Sequence, residues 1–323
     1  MSNKNRNWRN VSVQPGTVFA SFNENLGSEA TATPSFDGSS PILVASDYSG
    51  ASNEEPYVVY SFLITTGKAW ASWEETRLQL RKHTLPDDRR MSYKKLGDVY
   101  RRNLLKPLLS AADQMDGLAI SLAISKAAPS IFPPEGPIDL NNPEFSAFRS
   151  WKRETLDKAF LVIQTIGILV AGIAKEGQDV LWFTDQDEVA ANPAMLTALT
   201  RALAWVSSNY LQFSLGNLRC GTTACDNGTR QIEDFVCIPD LIAGALSEQF
   251  RSSAQLGISD DRVLWLSGAG MKEKAQEILF PFGTRQERLK KHLLVIHPTP
   301  DGRHHKVSWF NFARGSGHSE TGK

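Results

Sequence analysis

Three short apolar runs in this chain each lead into an aspartate, and this pattern limits the possible folds more than any other feature. Ile42-Leu43-Val44-Ala45 leads through Ser46 to Asp47-Tyr48-Ser49-Gly50, and Val180-Leu181-Trp182-Phe183-Thr184 leads to Asp185. Phe235-Val236-Cys237-Ile238-Pro239 leads to Asp240. Apolar runs of this length suit buried strands, and the alternation of strands with helices indicates an α/β or α+β architecture. A carboxylate at the end of a buried strand is held rigidly and partly desolvated, and can ligate a hard cation. Gly50 then lets the chain turn sharply.

The elements between these runs alternate. Strands are expected at Ile42–Ser46, Tyr57–Thr65, Leu118–Ser125, Asp179–Thr184, Gln212–Leu215, Val263–Leu266, Leu293–His297 and Lys306–Phe310. Helices are expected over Trp70–Lys82, Tyr93–Ala112, Phe145–Lys175, Pro193–Asn209 and Pro239 to about Phe250. Hairpins and crossovers both occur, so the sheet should be mixed and flanked by helices. Residues 1–40 are polar with little periodicity and read as a flexible arm. Residues 41–313 form the domain, with a helical insertion at about 139–178, and 314–323 read as a disordered tail.

Composition excludes several classes. With 35 basic and 35 acidic residues and a 41% hydrophobic fraction, the chain has the make-up of a soluble globular protein. Three cysteines are too few for a disulfide framework and favour a reducing cytoplasm. No secretory signal is visible, and the apolar run Ala159–Ala174 is short for a membrane span of about 20 residues, so a buried helix is expected there.

Charge is unevenly placed. Between Arg77 and Lys106 stand ten basic residues against Asp87, Asp88 and Asp98, leaving 25 basic and 32 acidic residues elsewhere. Arg89, Arg90, Lys94, Lys95, Arg101 and Arg102 are the candidate phosphate contacts, with Trp70, Trp73, Tyr93 and Tyr100 available for stacking. A solvated helix face lined beneath by its aromatics accounts equally well for the pattern. The group Arg285, Arg288, Lys290, Lys291 and His292 reads as a helix surface.

The motifs Asp47-Tyr48-Ser49-Gly50, Thr184-Asp185-Gln186-Asp187-Glu188 and Pro239-Asp240-Leu241-Ile242-Ala243-Gly244 resemble an uncharacterised bacterial family of the RNase H-like superfamily, of the domain of unknown function 3800 type. The likeness spans about residues 41 to 310, and its last motif is the most specific. It implies an RNase H-like mixed sheet with helical insertions, with catalytic carboxylates on the first strand, a later strand and the last helix. It also implies a metal-dependent nuclease acting on DNA or RNA, with Asp47, Asp185 and Asp240 as catalytic residues and ligands of Mg²⁺ or Mn²⁺. Tyr48 stands where the family has an early Glu, and Met91 opens a stretch that usually opens with Glu; each replaces a potential ligand, for which Asp187 or Glu188 would have to compensate. The alternative is a catalytically weak module that binds nucleic acid or a protein.

Simpler roles exist for each aspartate: Asp47 can start a turn, Asp185 can cap one, and Asp240 can complement a helix dipole. Gly268-Ala269-Gly270 is a weak dinucleotide-binding signal, since Glu273 stands in the place of the third glycine. Cys220, Cys225 and Cys237 lack finger-like spacing for zinc and read as thiols in a loop and a core strand.

Overall fold

The computed structural model describes residues 7–28, 33–257, 263–266, 270–283 and 288–314. Strands β1 (Ile42–Ser49), β2 (Tyr57–Thr66) and β3 (Gly117–Ser125) form an antiparallel meander. Strands β4 (Val180–Thr184) and β5 (Leu218–Thr222) continue the sheet beyond β1, both parallel to it. On the other side, β6 (Val263–Leu266), β7 (Leu289–Pro298) and β8 (His305–Arg314) complete the order β5-β4-β1-β2-β3-β7-β8-β6. The protein is therefore α/β with a mixed sheet.

Helices cover both faces, which explains why the central strands read as unbroken apolar runs. On one face lie α1 (Val18–Leu26), α4 (Arg153–Ile173) and α5 (Pro193–Tyr210), closing over Ile42, Val44, Phe62 and Trp182. On the other lie α2 (Gly67–Thr84), α3 (Val99–Ala112), α6 (Gln231–Gln255) and α7 (Glu273–Leu279), closing over Leu43, Ala45, Val59 and Leu63. α6 packs directly on β1 and β2. Among the described residues one helix, α4, is long and apolar enough to cross a membrane, but 83% of its most apolar window is buried inside the fold.

The structure corrects several sequence expectations. The supposed arm, where described, is part of the core: Trp8, Val11, Phe22, Leu26 and Phe36 are buried in it. Its polar composition misleads because Asn23 uses its polarity internally. Asn23 accepts from Trp8 Nε1 at 3.1 Å and donates to the Val11 carbonyl at 2.8 Å. The supposed insertion at 139–178 contains α4, which supplies the centre of one layer. Residues 212–215 form no strand; Phe213 and Leu215 reach the core from coil, and the ladder begins at Leu218. The helix expected from Tyr93 is a single 3₁₀ turn, Tyr93–Lys95, and α3 starts only after Asp98. The Asp98 carboxylate accepts from the amides of Tyr100 and Arg101 as its N-cap.

The largest difference concerns Pro239 and Asp240. They do not open a helix but sit inside α6, which also takes in Phe235–Ile238 and therefore buried Cys237. An interior proline removes one helix hydrogen bond. Burial of Phe235, Ile238, Leu241, Ile242 and Leu246 outweighs that loss. Lys290, Lys291 and His292 lie on β7 rather than on a helix. Arg285, Gly268, Ala269 and the tail from 315 lie outside the described residues.

Candidate active site

β1 runs three residues further than expected, so Asp47 is inside the strand and paired with Ser61. Alternation then fixes its direction. Leu43 and Ala45 point into the α6 layer, and Asp47 follows them. On β4, Leu181 and Phe183 face the same layer, and Asp185 follows them. The two strands are parallel and in register through Ser46 and Thr184, so Asp47 and Asp185 stand side by side one residue beyond that pair. α6 brings Asp240 over β1. All three aspartates line one depression of about 650 Å³, together with Arg90, Lys94, Lys95, Lys158, Lys272 and Lys274.

Each carboxylate has a distinct environment. Burial pushes Asp47 well above the usual carboxylate range, and the neighbouring charges of Asp240 and Asp185 push it further, against a 2.7 Å bond from the Tyr48 amide. Burial likewise raises Asp240 to about 6, although the Tyr93 amide donates to it at 2.7 Å. Asp185 behaves oppositely. Burial works to raise it, yet Thr223 Oγ1 at 2.7 Å and the Arg90 guanidinium at 2.5 Å bring it below the ordinary value. Asp47 and Asp240 thus feel each other as like charges, while Asp185 is already neutralised by a cation of the protein.

The donor set suits a hard divalent cation: carboxylate oxygens, partly desolvated, from three separate elements. Among the described residues, however, no three acidic, His or Cys side chains gather tightly enough to hold a metal as they stand.

Tyr48 and Met91, the positions where the resemblance expects Glu, sit in different surroundings. Tyr48 alternates to the opposite face, where its hydroxyl meets Ser46 Oγ at 3.2 Å and Thr184 Oγ1 at 3.3 Å. Met91 is fully buried in the apolar layer. Asp187 lines the depression and, like Glu188, is paired with Lys158, at 2.9 and 2.8 Å.

The basic stretch divides in two. Arg77 and Arg81 are buried and converge on fully buried Asp234, with Arg77 at 2.8 Å. Arg89 pairs with Asp87 and Asp98, Arg101 with Asp98, and Arg102 with Glu273. Lys94 and Lys95 are exposed on the rim. Of the aromatics, Trp73 and Tyr93 are buried and Trp70 packs edge-on against Phe235; Tyr100 is exposed beneath Arg89.

Sequence reasoning found Asp240 but missed the residues that continue its side of the depression. Ser247, Glu248 and Arg251 follow Asp240 and Gly244 with helical spacing along α6, a period that would have marked them. Gly244 makes room for Tyr93, since a Cβ there would lie 2.3 Å from the ring. Tyr93 in turn donates to Glu248 at 2.7 Å and lies under the Lys274 ammonium at 3.9 Å.

No family model matches this chain, and comparison with curated proteins finds no match.

Proposed function

We propose that the protein is a metal-dependent nuclease of RNase H-like fold that hydrolyses phosphodiester bonds of DNA or RNA at Asp47, Asp185 and Asp240. One observation carries the reading: carboxylates from the first strand, the end of a later strand and a long late helix line one depression, with exposed Lys94 and Lys95 at its edge. That is the layout the family resemblance implies.

Asp47 and Asp240 would hold Mg²⁺ or Mn²⁺ between them, and Asp185 would complete the set. A bound divalent cation supplies charge stabilisation at the phosphate and an activated water. The protein's own groups do the rest. Exposed Lys94 and Lys95 bind and orient the anionic strand, and the carboxylates accept the cation only when ionised. Free thiols at Cys220, Cys225 and Cys237 support a reducing, cytoplasmic setting.

A second reading, a catalytically weak module that binds nucleic acid or a protein, draws support from the Arg90–Asp185 pair, which withholds one carboxylate. Incubating end-labelled DNA and RNA oligonucleotides with the protein in Mg²⁺, Mn²⁺ or EDTA separates the two. Metal-dependent cleavage abolished by Asp240→Asn is the expected result. Retention of the oligonucleotide without cleavage under any metal would select the binding module.

A further inference from the structure

Among the described residues, Arg90 is the one cation paired with a site carboxylate. Its guanidinium pairs with Asp185 at 2.5 Å, with both side chains about 30% exposed, at 31% and 29%. The residue lies on the loop between α2 and the Tyr93–Lys95 turn, and Arg101 Nε anchors its backbone carbonyl at 2.8 Å. The anchor fixes the main chain, not the head group. Arg90 Nε is buried and has no hydrogen-bond partner. A fork with one arm unpartnered is an incompletely compensated ion, and a buried donor left without a partner weakens the arrangement that buries it. Asp185 needs no arginine to stay in place, because Thr223 Oγ1 and the Gln186 amide already hold its other oxygen at 2.7 and 2.9 Å. The ion pair therefore does something other than fix Asp185.

We propose that Arg90 is an internal counter-ion that competes with a divalent cation for Asp185, and that on release it turns to the phosphate of the bound strand. This rests on the nuclease reading and assigns Arg90 a positioning role within it. Arg90 neutralises Asp185 and so limits repulsion among the three aspartates. When Asp185 passes to the metal, the freed guanidinium stays at the mouth of the depression, where its planar fork matches two phosphate oxygens. The same exchange makes cation and strand binding mutually reinforcing, since a strand phosphate gives Arg90 somewhere to go.

The test is calorimetric titration of the full chain with Mn²⁺, without nucleic acid, comparing the native protein with Arg90→Gln and Lys94→Gln. Lys94→Gln removes one charge from the same rim without touching Asp185, so it controls for general repulsion of the cation. Loss of a competing ion pair of this exposure should tighten Mn²⁺ binding by up to roughly fivefold in Arg90→Gln, with a clearly smaller gain in Lys94→Gln. The melting temperature of each variant without metal reports whether it is folded, and Arg90→Lys, which keeps the charge but not the fork, supplies a second reading if Arg90→Gln unfolds. Its Mn²⁺ affinity should exceed that of Lys94→Gln, because it weakens the pair with Asp185 that Lys94→Gln leaves intact. A gain no larger in Arg90→Gln than in Lys94→Gln, or weaker binding in Arg90→Gln, overturns the competition and leaves the nuclease reading standing. Failure of all three proteins to bind Mn²⁺ overturns both.

Discussion

Asp47 and Asp185 leave neighbouring parallel strands on the same face, one residue beyond the register pair Ser46–Thr184. Adjacent strands lie about 4.8 Å apart, so these two side chains and Asp240 above them cannot all be ionised without cost. Asp47→Asn keeps the shape and removes a charge that burial and Asp240 already oppose. The variant should therefore be more stable than the native protein in EDTA, by about 1 kcal/mol. It should also lose most of any Mg²⁺- or Mn²⁺-dependent rise in melting temperature. Thermal melts with and without metal read both effects. An unchanged melting temperature in EDTA, together with an undiminished metal increment, would remove Asp47 from the site.

The raised pKa of Asp240 has a defined sign. Its folded value, about 6, exceeds its ordinary 3.8, so the folded protein holds this proton more tightly than the unfolded chain. Stability from this group is present at low pH and is lost as pH rises from about 4 through 6. Asp185 acts in reverse, its contribution vanishing as pH falls below the ordinary carboxylate value. Asp240→Asn should stabilise the protein at pH 7 by roughly 1–3 kcal/mol and flatten the decline between pH 4 and 7. Urea denaturation across that range checks it. Metal affinity should rise over the same interval, because a cation needs the ionised form.

Gly244→Ala tests the packing that supports Asp240. The added methyl carbon would lie 2.3 Å from the Tyr93 ring, forcing away the turn whose amide holds the Asp240 carboxylate. Overpacking of this kind costs about 1–3 kcal/mol, which exceeds the gain of roughly 1 kcal/mol from replacing a helical glycine. A net loss of stability by chemical denaturation is expected, with weaker metal binding. A stabilised variant would show that Tyr93 can move freely.

The basic residues should separate by experiment as they do in space. Lys94→Ala and Lys95→Ala should each weaken oligonucleotide binding and lower the salt slope by about one. Arg102→Ala should change neither appreciably, because that guanidinium is engaged by Glu273. Anisotropy titrations at several salt concentrations decide. Equal losses from all three would return the phosphate face to α3.

Much of this arrangement is legible in the amino-acid sequence. The strand-forming runs identified β1, β2, β3 and β4 because strands covered on both faces have no choice but to be apolar. The three aspartates stood out because each interrupts such a run. What composition hid was tertiary. Pro239 read as the start of a helix, since local rules weigh a missing donor but not the apolar face that α6 buries. Arg77 and Arg81 counted as surface charge because only the fold reveals buried Asp234 between them. Lys158 over the Tyr48 ring, at 4.4 Å, was equally out of reach of local rules, since the two stand far apart in the chain.

Trp8 closes over Gly172 so tightly that any Cβ there would lie 2.3 Å from the indole. The amide of Arg9 donates to the Gly172 carbonyl at 2.8 Å, and the Arg9 guanidinium lies 4.4 Å from the Phe213 ring. The first strand of the sheet begins at Ile42, so a shortened version starting there would look reasonable on paper. It would leave a tryptophan-shaped notch in the most apolar helix of the molecule, together with the surfaces that Phe22, Leu26 and Phe36 now cover. Such a chain would be sticky rather than minimal, and the N-terminal segment is better regarded as the keystone of its layer than as packaging to be trimmed.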